Sequence, residues 1–269
     1  MEWTVLSKVK HKDMAISRNK NYSFIEKQIF LPICTFELQT AVSYLPIIFL
    51  KEKDIFKIVG LMGFEDGQNL LVSPTGEWTI NFLPAVMRAF PLRPARLPDG
   101  GLTALILEDS PTLVSSGEGD RLFDSEGKES ESFKNYAQLL ANIDRSNSIS
   151  KKVCELLQEF ELLEPFNIEI QKDKNSKVNL DGMFRIKLSV FNDLEEKKFN
   201  ALRKHHALEF IYGHFYSMTC VSKLVNRLGA LHKAGSSLKD LGTKIFDEED
   251  KELEFNFTQL HNGELDMNE

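Results

Sequence analysis

Cysteine is scarce, with only Cys34, Cys154 and Cys220 in 269 residues, an odd number at wide intervals. A disulfide framework needs pairs and a zinc ribbon needs closely spaced thiols, so neither is written here. Each cysteine sits in an apolar pattern that suits a small, reduced core side chain. Long apolar runs are also missing. The longest near the start, residues 29–34, is interrupted by Pro32 and falls far short of the roughly 20 residues that a membrane helix requires. Residues 1–12 alternate apolar with polar groups and lack the apolar block of a secretory signal. These absences predict a cytoplasmic protein with no membrane insertion, compatible with peripheral association at the envelope.

Motifs of high specificity are lacking as well. There is no G-x-S-x-G elbow, phosphate loop or G-x-G-x-x-G fingerprint. Ser7 with Lys10 and Ser148 with Lys151 fit S-x-x-K, a pattern loose enough to arise by chance in this composition. The net charge of −7 resides in residues 102–144 and 236–269, while the basic residues between them are dispersed among acids. Nucleic-acid binding needs a continuous basic stripe, so nucleic acid is not an expected partner. Two Trp stand against 20 Phe, which makes the aromatic content packing material first.

What is present describes a globular chain, at 42% hydrophobic and 27% charged residues. Residues 32–45 carry apolar groups near helical spacing, with Pro32 suited to a first helical position and Pro46 to a stop, which predicts a helix of about three turns. Residues 47–50 and 55–62 are rich in β-branched side chains around a polar turn and read as a β-hairpin. A short strand at 70–72 lies between two turn signals, and residues 83–90 form a short apolar helix ended by Pro91. An irregular passage then leads to a strand at 102–107.

The acidic stretch 109–131 is either a surface excursion or a boundary between two halves. Ser148 is placed to cap an amphipathic helix with Val153, Leu156 and Leu157 on one face. Residues 166–170 and 183–190 alternate around a charged turn at 172–177, giving a second hairpin. A charged helix at 194–205 precedes a longer apolar one at 208–231. The expected fold is α+β, with antiparallel hairpins and a meander flanked by helices, in two β-rich lobes packed as one unit. That unit spans residues 1–235, followed by an acidic, poorly ordered and dispensable tail at 236–269.

The order and local wording of these segments resemble the SapC family. The matching residues include His11; then Pro32, Glu37, Ala41, Tyr44, Pro46, Ile47 and Phe49; then the densest block, with Gly63, Asn69, Leu70, Gly76, Trp78, Pro84, Arg88 and Pro91; then Leu122, Phe123 and Gly127, Leu162 to Pro165, and Gly182 before Phe184; and finally Ile211, Tyr212, His214 and Ser217. The resemblance runs over about residues 5–230. Together with the lack of catalytic spacing, it implies a non-catalytic accessory or binding protein of a bacterial surface-layer or export system, with protein partners in the envelope or secretion machinery and no cofactor. The peptide-uptake permease that shares the name spans membranes and is a different protein.

Glu37, Asn69, Trp78 and Arg88 are the candidate ligand-binding or partner-binding residues. Each also has a structural reading: Glu37 with Arg88 as an ion pair between helices, Trp78 as a lid on the core, and Asn69 closing a turn through its own side chain. The alternative function is a non-haem iron enzyme. His11 and Asp13 have the H-x-D spacing of a facial triad, with His214 as a distant third ligand and iron as the cofactor. Against it, His214 sits on an apolar helical pattern where a hydrogen-bonded core histidine is the ordinary outcome.

Overall fold

The computed structural model describes residues 2–19, 21–65, 67–115, 117, 119–171, 177–178, 182–233 and 243–244. The chain opens with β1 (Trp3–Val5), the one-turn helix α1 (Lys8–His11) and β2 (Met14–Ser17). Ser7 caps α1, its hydroxyl accepting the Val9 N–H at 3.3 Å. β3 (Phe30–Pro32) follows, and Pro32 ends an edge strand instead of opening a helix. Ile33 prolongs the extended course by donating its N–H to the Ile58 carbonyl at 3.4 Å. Only the residues beyond it can coil, which reduces the predicted three-turn helix to the 3-10 turn Thr35–Glu37 and the single turn α2 (Leu38–Ala41). β4 (Ile47–Glu52) and β5 (Ile55–Leu61) form the expected hairpin, paired from Ile47 with Gly60 to Glu52 with Ile55.

The strand expected at 70–72 contributes an isolated bridge between Val72 and Trp78. α3 (Ala85–Ala89) is the short helix anticipated before Pro91. The passage after it is regular: β6 (Leu92–Arg96) pairs along its length with β7 (Leu102–Leu107), and Pro94 is tolerated because β6 lies at a sheet edge. The acidic stretch supplies β8 (Leu113–Ser115) and β9 (Gly119–Arg121), which pair with β2 on its two sides.

α4 (Glu131–Glu159) runs for 29 residues from the N-cap Ser130, whose hydroxyl accepts the Phe133 N–H at 3.0 Å. Ser148 therefore lies within the helix and not at its start, its hydroxyl bonded back to the Asp144 carbonyl at 3.2 Å. The earlier half is helical because Phe133, Leu140 and Ile143 still recur at helical spacing and are buried. β10 (Leu163–Pro165), β11 (Glu169–Gln171), β12 (Lys177–Val178) and β13 (Met183–Ile186) come next. The second hairpin is thus displaced, with β10 pairing with β13 and residues 188–190 entering α5 (Leu188–Asn192). Most of the predicted charged turn lies outside the described residues. α6 (Glu196–Lys204) is as anticipated, whereas the long apolar helix breaks at Met218 into α7 (Ala207–Ser217) and α8 (Thr219–Lys233). β14 (Thr243–Lys244) pairs with β11, and the rest of the acidic tail lies outside the described residues.

Every described strand pairing is antiparallel, in sheets of order β10-β13-β4-β5-β3, β1-β7-β6, β8-β2-β9 and β12-β11-β14. The fold is α+β, as expected. The five-stranded sheet draws strands from both halves of the chain. Its side chains, among them Phe49 and Ile58, pack with Leu157 of α4, Phe210 of α7 and Leu228 of α8. A smaller cluster joins Ile16, Leu92, Ile106 and Leu122 to Phe133, Leu140 and Ile143 on the first half of α4. Full burial of each such large side chain stabilises by about 1.5–3 kcal/mol. The three cysteines are free and buried. Among the described residues, no helix is long and apolar enough to cross a membrane.

Candidate binding site at Trp78

The segment with the densest resemblance builds a surface depression. Ser73 and Glu77 close a loop, with the Ser73 N–H donating to the Glu77 carbonyl at 2.9 Å and the Glu77 N–H to the Ser73 hydroxyl at 3.0 Å. Gly76 in that loop has φ of +83°, and a Cβ there would lie 2.4 Å from Asn21 Oδ1 and 2.5 Å from Ser23 Oγ. Only glycine permits so close an approach at positive φ. Its carbonyl accepts the Tyr22 N–H at 2.7 Å, which sets the Tyr22 ring against Trp78 with centroids 5.9 Å apart and planes at 56°.

The Trp78 indole N–H donates to the Phe82 carbonyl at 2.7 Å, fixing that ring. Thr79 is tied to the Leu71 carbonyl through both its N–H and its hydroxyl, and Arg227 of α8 donates to that hydroxyl at 2.7 Å. The resulting depression, about 390 Å³, is lined by Tyr22, Glu77, Trp78, Ile80, Asn81 and Phe82 together with Leu83. Partial burial raises the Tyr22 phenol above its ordinary value, so the hydroxyl stays protonated at neutral pH.

Glu37 and Arg88 do meet, at 3.3 Å, yet the stronger partners of Glu37 are backbone groups. Its carboxylate accepts the Cys34 N–H at 3.0 Å through one oxygen and the Ala85 N–H at 2.7 Å through the other. It thereby holds the turn before α2 to the first turn of α3. Burial raises its pKa above the ordinary carboxylate value, opposed by these two N–H groups and by Arg88. Nearby, Ser146 of α4 accepts the Thr35 N–H at 2.7 Å, and burial pushes the Cys34 thiol up to about 12, which keeps it protonated. Asn69 bridges two segments, its amide donating to the Ile25 carbonyl at 3.2 Å and its oxygen accepting the Leu71 N–H at 2.9 Å.

His11, Asp13 and His214 are not brought together. His11, with no exposed side-chain surface, accepts the Ser7 N–H on Nδ1 at 2.9 Å, while Nε2 lies 3.4 Å from Glu108. Glu108 also accepts from Lys10 and from Thr4, and these donors hold its carboxyl down at about 2. Asp13 is exposed. His214 is 2% exposed and joins α7 to the five-stranded sheet. Its Nδ1–H donates to the Ile47 carbonyl at 2.7 Å and its Nε2 accepts the Ile186 N–H at 3.4 Å, a tautomer set by those partners. Ser217, one turn on, accepts the Ile47 N–H at 2.8 Å. Direct pairing of β4 with β13 covers Leu50–Met183 and Phe49–Phe184. Two positions further along that register, the imidazole stands between Ile47 and Ile186. Both ring nitrogens are engaged, and among the described residues no group of three or more His, Cys, Asp and Glu is placed to hold a metal ion.

Burial drives the His214 pKa down to about 4, helped by Arg185 and opposed by the Ile47 carbonyl. The unfolded chain, with an ordinary value near 6.5, therefore binds the proton more readily. The stability contributed by neutral His214 is complete above about pH 6.5 and is lost as pH falls through that value towards 4, roughly 3 kcal/mol in all. Glu108 adds loss in the same direction at lower pH, between its ordinary value and about 2. Urea unfolding measured between pH 7 and 4 should show this slope in the parent and a flatter one in His214→Gln; equal slopes would sink the assignment.

Tyr22, Glu77 and Asn81 line the Trp78 depression and were not singled out by sequence reasoning. The signal available for Tyr22 was indirect, since a glycine in the Ser73–Gly76 turn marks a close backbone approach without naming what approaches. The SapC family model matches residues 6–224. No curated protein matches the chain, and no solved structure does.

Proposed function

The chain belongs to the SapC family, and from that membership we propose that it is a non-catalytic accessory or binding protein working with a bacterial surface-layer or export system. One observation carries the non-catalytic part. Three polar side chains of the family-like segments are engaged with backbone: Glu37 with Cys34 and Ala85, Asn69 with Ile25 and Leu71, His214 with Ile47 and Ile186. Acid–base and nucleophilic chemistry requires a group free to meet the reacting atom. What the same segments turn to solvent is the aromatic depression at Trp78, a surface suited to recognition. The partners are proteins of the envelope or secretion machinery, reached by peripheral association.

Affinity purification from the native bacterium under crosslinking tests this reading. Envelope or secretion components are expected among the captured proteins. Their absence from repeated captures overturns it.

A further inference from the structure

Resting on the binding reading above, we infer that the Trp78 depression receives a basic side chain, lysine or arginine, presented by a partner protein. Trp78 and Tyr22 form a two-walled corner, and the electron-rich ring faces of these two residue types attract cations, Trp most strongly. Among the described residues, Glu77 is the one charged group lining the depression, and it is exposed beside the rings. A carboxylate and two aromatic faces with no lining cation select positive charge and repel anions. Arg227 reaches the adjacent Thr79 but does not line the depression.

The apolar part of the surface fits the rest of such a side chain. A lysine or arginine stem covers apolar surface while its head stays in a polar setting, here Ile80 and Phe82 for the stem and Glu77 for the head. The Asn81 amide oxygen and the Tyr22 hydroxyl add acceptors for the remaining N–H groups. The corner is built before any ligand arrives, since the Trp78 N–H is held by Phe82 and the Tyr22 backbone by Gly76, so little ordering accompanies binding. The molecule uses the same pairing within itself, where the Arg93 guanidinium lies 4.3 Å from the centre of the Trp3 ring.

The test reads Trp78 fluorescence in a Trp3→Phe variant, which leaves Trp78 as the sole tryptophan. Acetyl-lysine amide and acetyl-arginine amide are the probes. A saturable change at or below about 10 mM is expected, with Glu77→Gln weakening it about fivefold at an unchanged melting temperature. The lack of any saturable change overturns the inference. So does an equal response to acetyl-norleucine amide, which would mean plain apolar contact, or saturation by N-acetylglucosamine, which would mean a neutral glycan. Tighter binding of tetramethylammonium than of either amide would assign the site to a free quaternary ammonium and overturn the protein source. If crosslinking recovers envelope proteins equally with the parent and with Glu77→Gln while the amides fail to bind, the binding function stands and this inference falls. If it recovers none from the parent, the binding function falls first.

Discussion

His214→Ala is expected to lower the stability of the protein by about 3–5 kcal/mol at neutral pH, the largest effect of any single substitution considered. Removing the imidazole leaves the Ile47 carbonyl and the Ile186 N–H buried without partners, at about 1–3 kcal/mol each, and opens a space beneath Phe49, whose ring centre lies 5.7 Å from that of His214. Against a typical total of about 5–15 kcal/mol, such a loss brings the chain close to unfolding. The urea midpoint should fall steeply. Ser217→Ala, which orphans the single Ile47 N–H, should shift it by less, and His214→Gln, which keeps a donor and an acceptor, should recover part of the difference. A loss below about 1 kcal/mol for His214→Ala would show that β4 and β13 can close on each other without the bridge.

The second large effect is an asymmetry between two partners of one ion pair. Glu37→Ala is expected to destabilise by about 3 kcal/mol or more, because two buried backbone N–H groups, of Cys34 and Ala85, lose their acceptor. Arg88→Met should cause a loss of less than about 1 kcal/mol, since the Arg88 side chain is 45% exposed and water replaces its contact. Thermal melts of the two variants decide the matter. Equal losses would mean that charge pairing outweighs the backbone contacts and that the carboxylate acts chiefly as a counter-ion.

These two residues also show how far the sequence could be read. A hydrogen-bonded core role for His214 followed from its place on an apolar helical pattern, and the pairing of Glu37 with Arg88 was within reach of residue type and family resemblance. The groups that matter most to both side chains are backbone atoms, and a residue-by-residue pattern carries no trace of them. Ile47 lies 167 positions from His214. The β4–β5 hairpin was legible because its β-branched residues flank a short polar turn. β6 was not, since Pro94 reads locally as a breaker and only the sheet order, unavailable from spacing, shows that β6 is an edge where proline is harmless.

The same limit applies to the iron-triad alternative. H-x-D spacing describes three consecutive residues, whereas the fold turns His11 inward onto Ser7 and Glu108 and leaves Asp13 in solvent. For the Trp78 site, the sequence pointed to one wall and missed the other. Tyr22 arrives from a distant turn, and its place depends on a hydrogen bond to Gly76.

The 29 residues of α4 reach about 43 Å at the usual helical rise. One end lends Phe133, Leu140 and Ile143 to the smaller cluster, and the other lends Val153, Leu156 and Leu157 to the larger. Neither cluster owns a complete set of walls. A chain severed within this helix would yield two pieces, each with an apolar flank that only its counterpart can cover. Neither half could therefore be moved alone into another architecture with its core covered, since the helix would have to travel with both.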